Sequence, residues 1–148
     1  MSAKAEKKRP GGGLFGAVRF VMAAAMLLLA AVMLLPPGLF GMDSIEPEPL
    51  MVQLSAHSPP KVLDVRTTPE FNGGHIIGAV LLPLHKLPFN LSKMEAGKGQ
   101  QVVLICMSGH RSRIAGLILR LAGYDRVINL TGGMAAWRAA GLPEAPAL

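Results

Sequence analysis

The sequence predicts an α/β protein: a parallel sheet flanked by helices, preceded by one transmembrane helix. Three observations carry this. Short apolar or β-branched runs at residues 62–66, 79–82, 102–106 and 127–130 alternate with stretches of helical character. The run at 102–105, Val-Val-Leu-Ile, has no polar position, as a parallel strand buried on both faces requires. Residues 20–35 are sixteen positions without a charge, too apolar all round for a domain of this size to cover.

Residues 1–13 are polar, basic and glycine-rich without apolar periodicity, and are expected to be disordered. If Arg19 snorkels, the apolar stretch extends back to Leu14 and reaches twenty-two residues. A spanning helix needs about twenty. Pro36-Pro37-Gly38 ends it, so residues 14–36 are read as the transmembrane segment. The rival reading is a cleaved signal peptide. Against it, the run exceeds the roughly 7–15 residues of a signal core, its alanines lie inside it, and no small-x-small site follows. Lys4, Lys7, Lys8, Arg9 and Arg19 precede the uncharged run of 20–35; after it no Lys or Arg occurs until Lys61. The positive-inside rule therefore places the N-terminus in the cytoplasm and the domain beyond the membrane, in the periplasm of a bacterium.

Residues 37–49 read as an acidic, proline-containing linker and 50–143 as the folded domain, opened by a short helix at 50–56. A strand at 62–66 ends at Thr67-Thr68-Pro69, and Pro69 opens a short helix that Gly73-Gly74 breaks. Pro83 stops a short strand at 79–82, and a helix is expected over 87–96, ended by Gly97. After the strand at 102–106, Ile114, Leu117, Ile118 and Leu121 recur at helical steps over 111–122, capped by Gly123. A last strand at 127–130 and a helix at 133–140 follow, halted by Gly141 and Pro143, with 144–148 as a tail.

The formal charge of +6 is uneven: residues 1–19 hold five Lys/Arg and one Glu, leaving only +2 for the rest, so the basic balance gives no footprint for nucleic acid. The same N-terminus accounts for the mean hydropathy of +0.41. One cysteine excludes an intramolecular disulfide, and no Cys/His cluster has zinc spacing, so neither a metal nor a cofactor is expected.

That cysteine, Cys106, stands where the central strand gives way to Met107-Ser108-Gly109-His110-Arg111-Ser112 and a helix start. Successive N–H groups and the positive helix end favour an anion there. The thiolate is the nucleophilic form of cysteine.

Cys106-x-x-x-x-Arg111-Ser112, with Ser108-Gly109 inside it, resembles the active-site loop of rhodanese-like sulfurtransferases. Further landmarks occur in the same order: Leu63-Asp64-Val65-Arg66, Glu70-Phe71, Gly74-His75-Ile76, Gly78-Ala79, Gly123-Tyr124, Val127, Leu130, Gly132-Gly133, Ala136-Trp137 and Ala140-Gly141-Leu142-Pro143. The resemblance covers residues 44–143. Two departures lie away from the loop: Pro69 falls one place later than the family's Thr-Pro-Glu-Glu, and Leu81 stands where the family often has Asn.

The resemblance implies sulfane-sulfur transfer by two displacements, through a persulfide on Cys106. A small donor such as thiosulfate loads it, and cyanide, a small thiol or a protein thiol unloads it. Loop N–H groups from Met107 to Ser112, with the Ser108 and Ser112 hydroxyls, are expected to meet the developing charge. Arg111 is expected to anchor the loop and lend positive potential. Met107 and His110 are expected at the entrance, where a cationic His110 would attract an anionic donor. Arg66 is expected to pair with Glu70 or a similar acid, Asp64 to bind backbone amides, and His75, Tyr124 and Trp137 to be structural. Two other classes compete. Cys-dependent phosphatases and arsenate reductases have, by resemblance, a Cys-x5-Arg loop; the Cys-x4-Arg ring here is too tight for a tetrahedral oxyanion. A sulfur carrier or docking module without turnover would carry the same loop.

Overall fold

The structure, a computed structural model, describes residues 14–34 and 42–146. The chain divides into two units, 1–32 and 33–148. In the first, helix α1 runs over Leu14–Leu34, and Phe20, Met26, Leu27 and Leu28 are exposed. Its described side chains, those of 19–31 and Leu34, do not by themselves make a helix long and apolar enough to cross a membrane. The expectations for residues 1–13 and for 35–41 lie outside the described residues.

The second unit is built on five parallel strands in the order β1-β6-β5-β2-β4. They are β1 (Asp43–Ile45), β2 (Lys61–Asp64), β4 (Val80–Leu81), β5 (Val102–Ile105) and β6 (Val127–Leu130). A two-stranded antiparallel ribbon joins β3 (His75–Ile76) to β7 (Glu144–Ala145). The helices are α2 (Pro47–Leu54), α3 (Thr68–Asn72), α4 (His110–Leu121) and α5 (Gly133–Ala139).

The central strand β5 is fully buried and its side chains alternate between two cores. Val103 and Ile105 join Leu50, Met134 and Trp137 beneath α2 and α5. Val102 and Leu104 join Ala115 and Leu119 beneath α4, and Cys106 continues this second alternation. The thiol thus leaves the strand on the α4 side, at the carboxyl end of the middle strand, where open α/β sheets place their ligands.

Three elements differ from the sequence expectation. Residues 43–49, read as linker, instead form β1 and the first turn of α2, with Pro47 opening that helix. Three residues carry too little periodicity to announce an edge strand. Residues 87–96 form two 3₁₀ turns, Leu87–Phe89 and Leu91–Met94, in place of one α-helix. Asn90 at φ −136° lies outside the helical region, so the turns do not merge. The second turn ends at Glu95 in the left-handed conformation, φ 51°, two residues before the expected Gly97 stop. Finally, Glu144 and Ala145 of the expected tail belong to β7.

Candidate active site

Cys106 is 1 % exposed, and the Gly109 N–H donates to its Sγ at 3.0 Å. This bond folds the loop back over the thiol. It requires Gly109 at φ +90°, a region an L side chain avoids, and the place a Cβ would occupy lies 3.4 Å from Asn129 Nδ2. Helix α4 starts at the next residue, directing its unpaired N–H groups and positive end toward the loop.

The loop's other side is held by α5. Met134 N–H donates to Cys106 O at 2.8 Å and Ala135 N–H to Met107 O at 3.0 Å. The first-turn donors of α5 thus find acceptors in the loop backbone, which turns those carbonyls away from the sulfur. Gly133 makes the approach possible: its φ is +58°, and a Cβ there would overlap Cys106 O and come within 2.8 Å of Met107 C.

Arg111 reaches from α4 to α3. Its Nη1 donates to Glu70 Oε2 at 2.8 Å and its Nη2 to Glu70 Oε1 at 2.5 Å, a two-pronged fork. Glu70 Oε2 also accepts the Thr67 N–H at 2.9 Å and the Thr67 hydroxyl at 2.6 Å. The Arg111 hydrogen bonds, helped by Thr67, hold the Glu70 carboxyl well below the usual carboxylate range despite the opposing cost of burial. The same contacts push Arg111 above its ordinary value, with smaller contributions from Cys106 and Asp64.

Arg66 pairs with an acid as expected, and that acid is Asp64 in place of Glu70. Asp64 and Arg66 lie two residues apart at the strand end, on one side of the chain, and pair with each other: Arg66 Nη2 donates to Asp64 Oδ2 at 2.7 Å with both side chains fully buried. Arg66 Nη1 and Nη2 also donate to Glu70 O at 3.0 Å and Gly74 O at 2.9 Å, tying the end of β2 to the middle of α3 and to the turn that follows it. Glu70 is thereby left for Arg111.

Of the other loop residues, Met107 is half-buried, while Ser108 and His110 are exposed and joined by a 3.0 Å hydrogen bond between Ser108 Oγ and His110 Nδ1. Ser112 is fully buried and its hydroxyl has no hydrogen-bond partner among the described residues. His75 Nδ1 lies 3.0 Å from Phe71 O and its ring stacks on Phe71, while Trp137 Nε1 donates to Pro143 O at 3.0 Å. Among the described residues no three His, Cys, Asp or Glu side chains form a cluster of metal-binding size.

Sequence reasoning placed the loop but missed two supports, the Glu70 carboxylate and Gly133. Both were visible as landmarks, yet Glu70 is 41 residues from its partner and no local pattern links them.

The chain can be compared with known proteins. Residues 49–140 match the rhodanese-like domain family. A sulfurtransferase of Allochromatium vinosum is 40 % identical over 101 residues, 68 % of this chain and 92 % of that protein. The thiosulfate sulfurtransferase GlpE of Shewanella oneidensis is 32 % identical over 90 residues, 61 % of this chain and 87 % of that one. Among solved structures, a rhodanese-like domain protein of Staphylococcus aureus superposes with a TM-score of 0.60 at 33 % identity, covering 65 % of this chain and 91 % of that one. A single cysteine at the carboxyl end of the central parallel strand, cradled by the N-termini of two helices, agrees with these matches in sequence and fold: the chain belongs to the rhodanese-like domain family.

Proposed function

We propose that this protein is a membrane-anchored sulfurtransferase that moves sulfane sulfur from a small donor such as thiosulfate to a thiophilic acceptor. The observation that carries the reading is the Gly109 N–H on the buried Cys106 Sγ at 3.0 Å, at the mouth of α4. In the first step the Cys106 thiolate attacks the outer sulfur of thiosulfate; a Cys106 S–S bond forms, and sulfite leaves with the electron pair of the broken bond. In the second step cyanide or an acceptor thiolate attacks the outer sulfur of the persulfide, and Cys106 leaves as thiolate. No resolving cysteine is needed, which suits a chain with one cysteine.

The loop serves both steps. N–H groups at the start of α4 supply donors to the sulfur's negative charge, and the unpartnered Ser112 hydroxyl is a further one. Arg111 braces the loop through Glu70, while the exposed Ser108–His110 pair marks the entrance and tunes which donor approaches. Support comes also from the relatives named thiosulfate sulfurtransferase, one of which is GlpE. Mass spectrometry of the intact protein tests the reading: thiosulfate should add one sulfur to the wild type and none to Cys106→Ser. A folded Cys106→Ser protein that still turns over thiosulfate and cyanide would overturn it.

The anchor is the sequence-level part of this proposal. Residues 14–36 would span the bilayer with the N-terminus cytoplasmic and the domain periplasmic, a reading that rests on the uncharged run of 20–35 and its basic flank. Membranes washed with carbonate should retain the full-length chain, and protease added from the periplasmic side should digest the domain. Release of a shortened soluble protein would mean a signal peptide instead.

A further inference from the structure

Two segments border the loop, and neither contains an acidic residue. Residues 82–94 include His85, Lys86 and Lys93; residues 107–122 include His110, Arg111, Arg113 and Arg120. They are packed together. The turn Leu87–Phe89 contacts α4, and Leu84 and Leu87 pack in the buried cluster that holds Cys106 and Ala115. Leu84 N–H donates to Val65 O at 3.1 Å, and Val65 N–H to Ile105 O at 2.9 Å, so residues 82–94 pass the sheet end at which Cys106 sits.

The charge distribution is one-sided. By sequence the two segments hold five of the ten Lys/Arg of residues 42–146 and none of the eight Asp/Glu, but Arg111 is paired with Glu70, Arg113 and Arg120 are also engaged, and Glu95 directly follows the first segment, so the exposed charge is that of Lys86 and Lys93. Lys86 and Lys93 are exposed, and between them Phe89 projects with 85 % of its surface accessible. An exposed aromatic side chain flanked in sequence by two exposed lysines has the make-up of an interface anchor.

We propose that this face docks the acidic surface of a second polypeptide, which presents its own thiol to Cys106. The inference rests on the sulfur-transfer reading and names its acceptor class. A small donor needs only the loop's N–H groups, whereas Lys86, Phe89 and Lys93 lie on a separate segment and extend the contact beyond a small molecule. A lipid surface on the same face would cover the mouth of the loop. The chemistry is the second displacement: the partner's thiolate forms a bond to the outer sulfur, the Cys106 S–S bond breaks, and Cys106 leaves as thiolate.

The test uses the full-length chain in detergent micelles, loaded with thiosulfate. Its probes are a synthetic glutamate-rich peptide with one cysteine and the lysine-rich counterpart. At low salt the acidic peptide should take sulfur at least about tenfold faster, as electrostatic steering allows, and the rates should converge near about 1 M salt. Lys86→Glu/Lys93→Glu should reverse the preference and Phe89→Ser should slow the acidic peptide several-fold, both leaving thiosulfate–cyanide turnover unchanged. A second arm needs no sulfur chemistry: a cysteine-free acidic peptide should bind Cys106→Ser protein by fluorescence anisotropy. Equal rates for the two peptides, or a preference that survives the double substitution, would overturn the docking face while leaving sulfur transfer intact. Peptide binding without transfer to any acceptor would instead overturn the sulfurtransferase reading, and thiol delivery with it. If phosphatidylglycerol vesicles occupy the Lys86–Lys93 face at physiological salt and the acidic peptide does not, lipid is the occupant and the proposal is wrong.

Discussion

The Arg111 guanidinium, in the first turn of α4, closes a two-pronged fork on the Glu70 carboxylate of α3, with distances of 2.8 and 2.5 Å. The fork ties the loop's own Arg111 to α3. Replacing Glu70 by Gln keeps the shape but leaves Arg111 with a neutral partner. Because both side chains are about 30 % exposed, the stability loss should be modest, about 1 kcal/mol. Sulfur transfer should fall about tenfold or more, since an unbraced loop no longer holds its N–H groups on one point. Urea titrations and steady-state rates on the same preparation separate the two effects.

The same contact sets an acid limit. Glu70 is held below its ordinary value of 4.5, so the unfolded chain takes up this proton more readily than the folded one. Its contribution is therefore fully present well above pH 4.5 and is lost as pH falls below that toward the folded value. Urea midpoints measured from pH 6 down to about pH 3 should fall more steeply for the wild type than for Glu70→Gln. Parallel curves would mean that the fork adds no linkage.

Gly133→Ala combines a positive φ with an overlap on the Cys106 carbonyl. Backbone strain alone is worth about 1–3 kcal/mol, and relief requires moving the loop. The variant should lose at least about 2 kcal/mol by chemical denaturation and should transfer sulfur more slowly even where it is fully folded. An Ala at Gly141, also at positive φ but in open space, should show the strain without the loss of activity.

Asp64 and Arg66 form a buried pair with no exposure on either side. Arg66→Met should cost about 3–5 kcal/mol, because it leaves a buried carboxylate unpaired. Adding Asp64→Leu should recover part of that loss, which a thermodynamic cycle by urea unfolding would measure.

Lengthening the loop by one Gly after Gly109 converts Cys-x4-Arg to Cys-x5-Arg. The Gly109 N–H that now lies 3.0 Å from Sγ could not stay in register while Arg111 still reaches Glu70. Transfer should drop below detection in a variant whose circular dichroism is unchanged. Full activity would refute the argument from ring size.

Much of this was legible because it is local. The strands at β5 and β6, the start of α4 and the loop between them follow from runs, periodicity and glycine. What was not legible depended on distance. Strand β1 is short and exists through its pairing with β6, Asp43 opposite Ile128. Asp64 takes Arg66 and Glu70 takes Arg111, a pairing among four charged groups that no spacing rule ranks. The single helix expected over 87–96 breaks at Asn90, whose backbone leaves the helical region, and no run or periodicity announces that break.

The grip of α5 on the loop backbone has a consequence for synthesis. Met134 and Ala135 hold the carbonyls of Cys106 and Met107 from a position nearly thirty residues downstream, and β1 waits for β6 to complete the sheet. A chain leaving the ribosome therefore brings out its cysteine before the segment that cradles it has emerged. Until α5 emerges, that cysteine is an ordinary thiol on an unfinished polypeptide. Released chains truncated before residue 133 should resist persulfide loading that the full-length chain accepts.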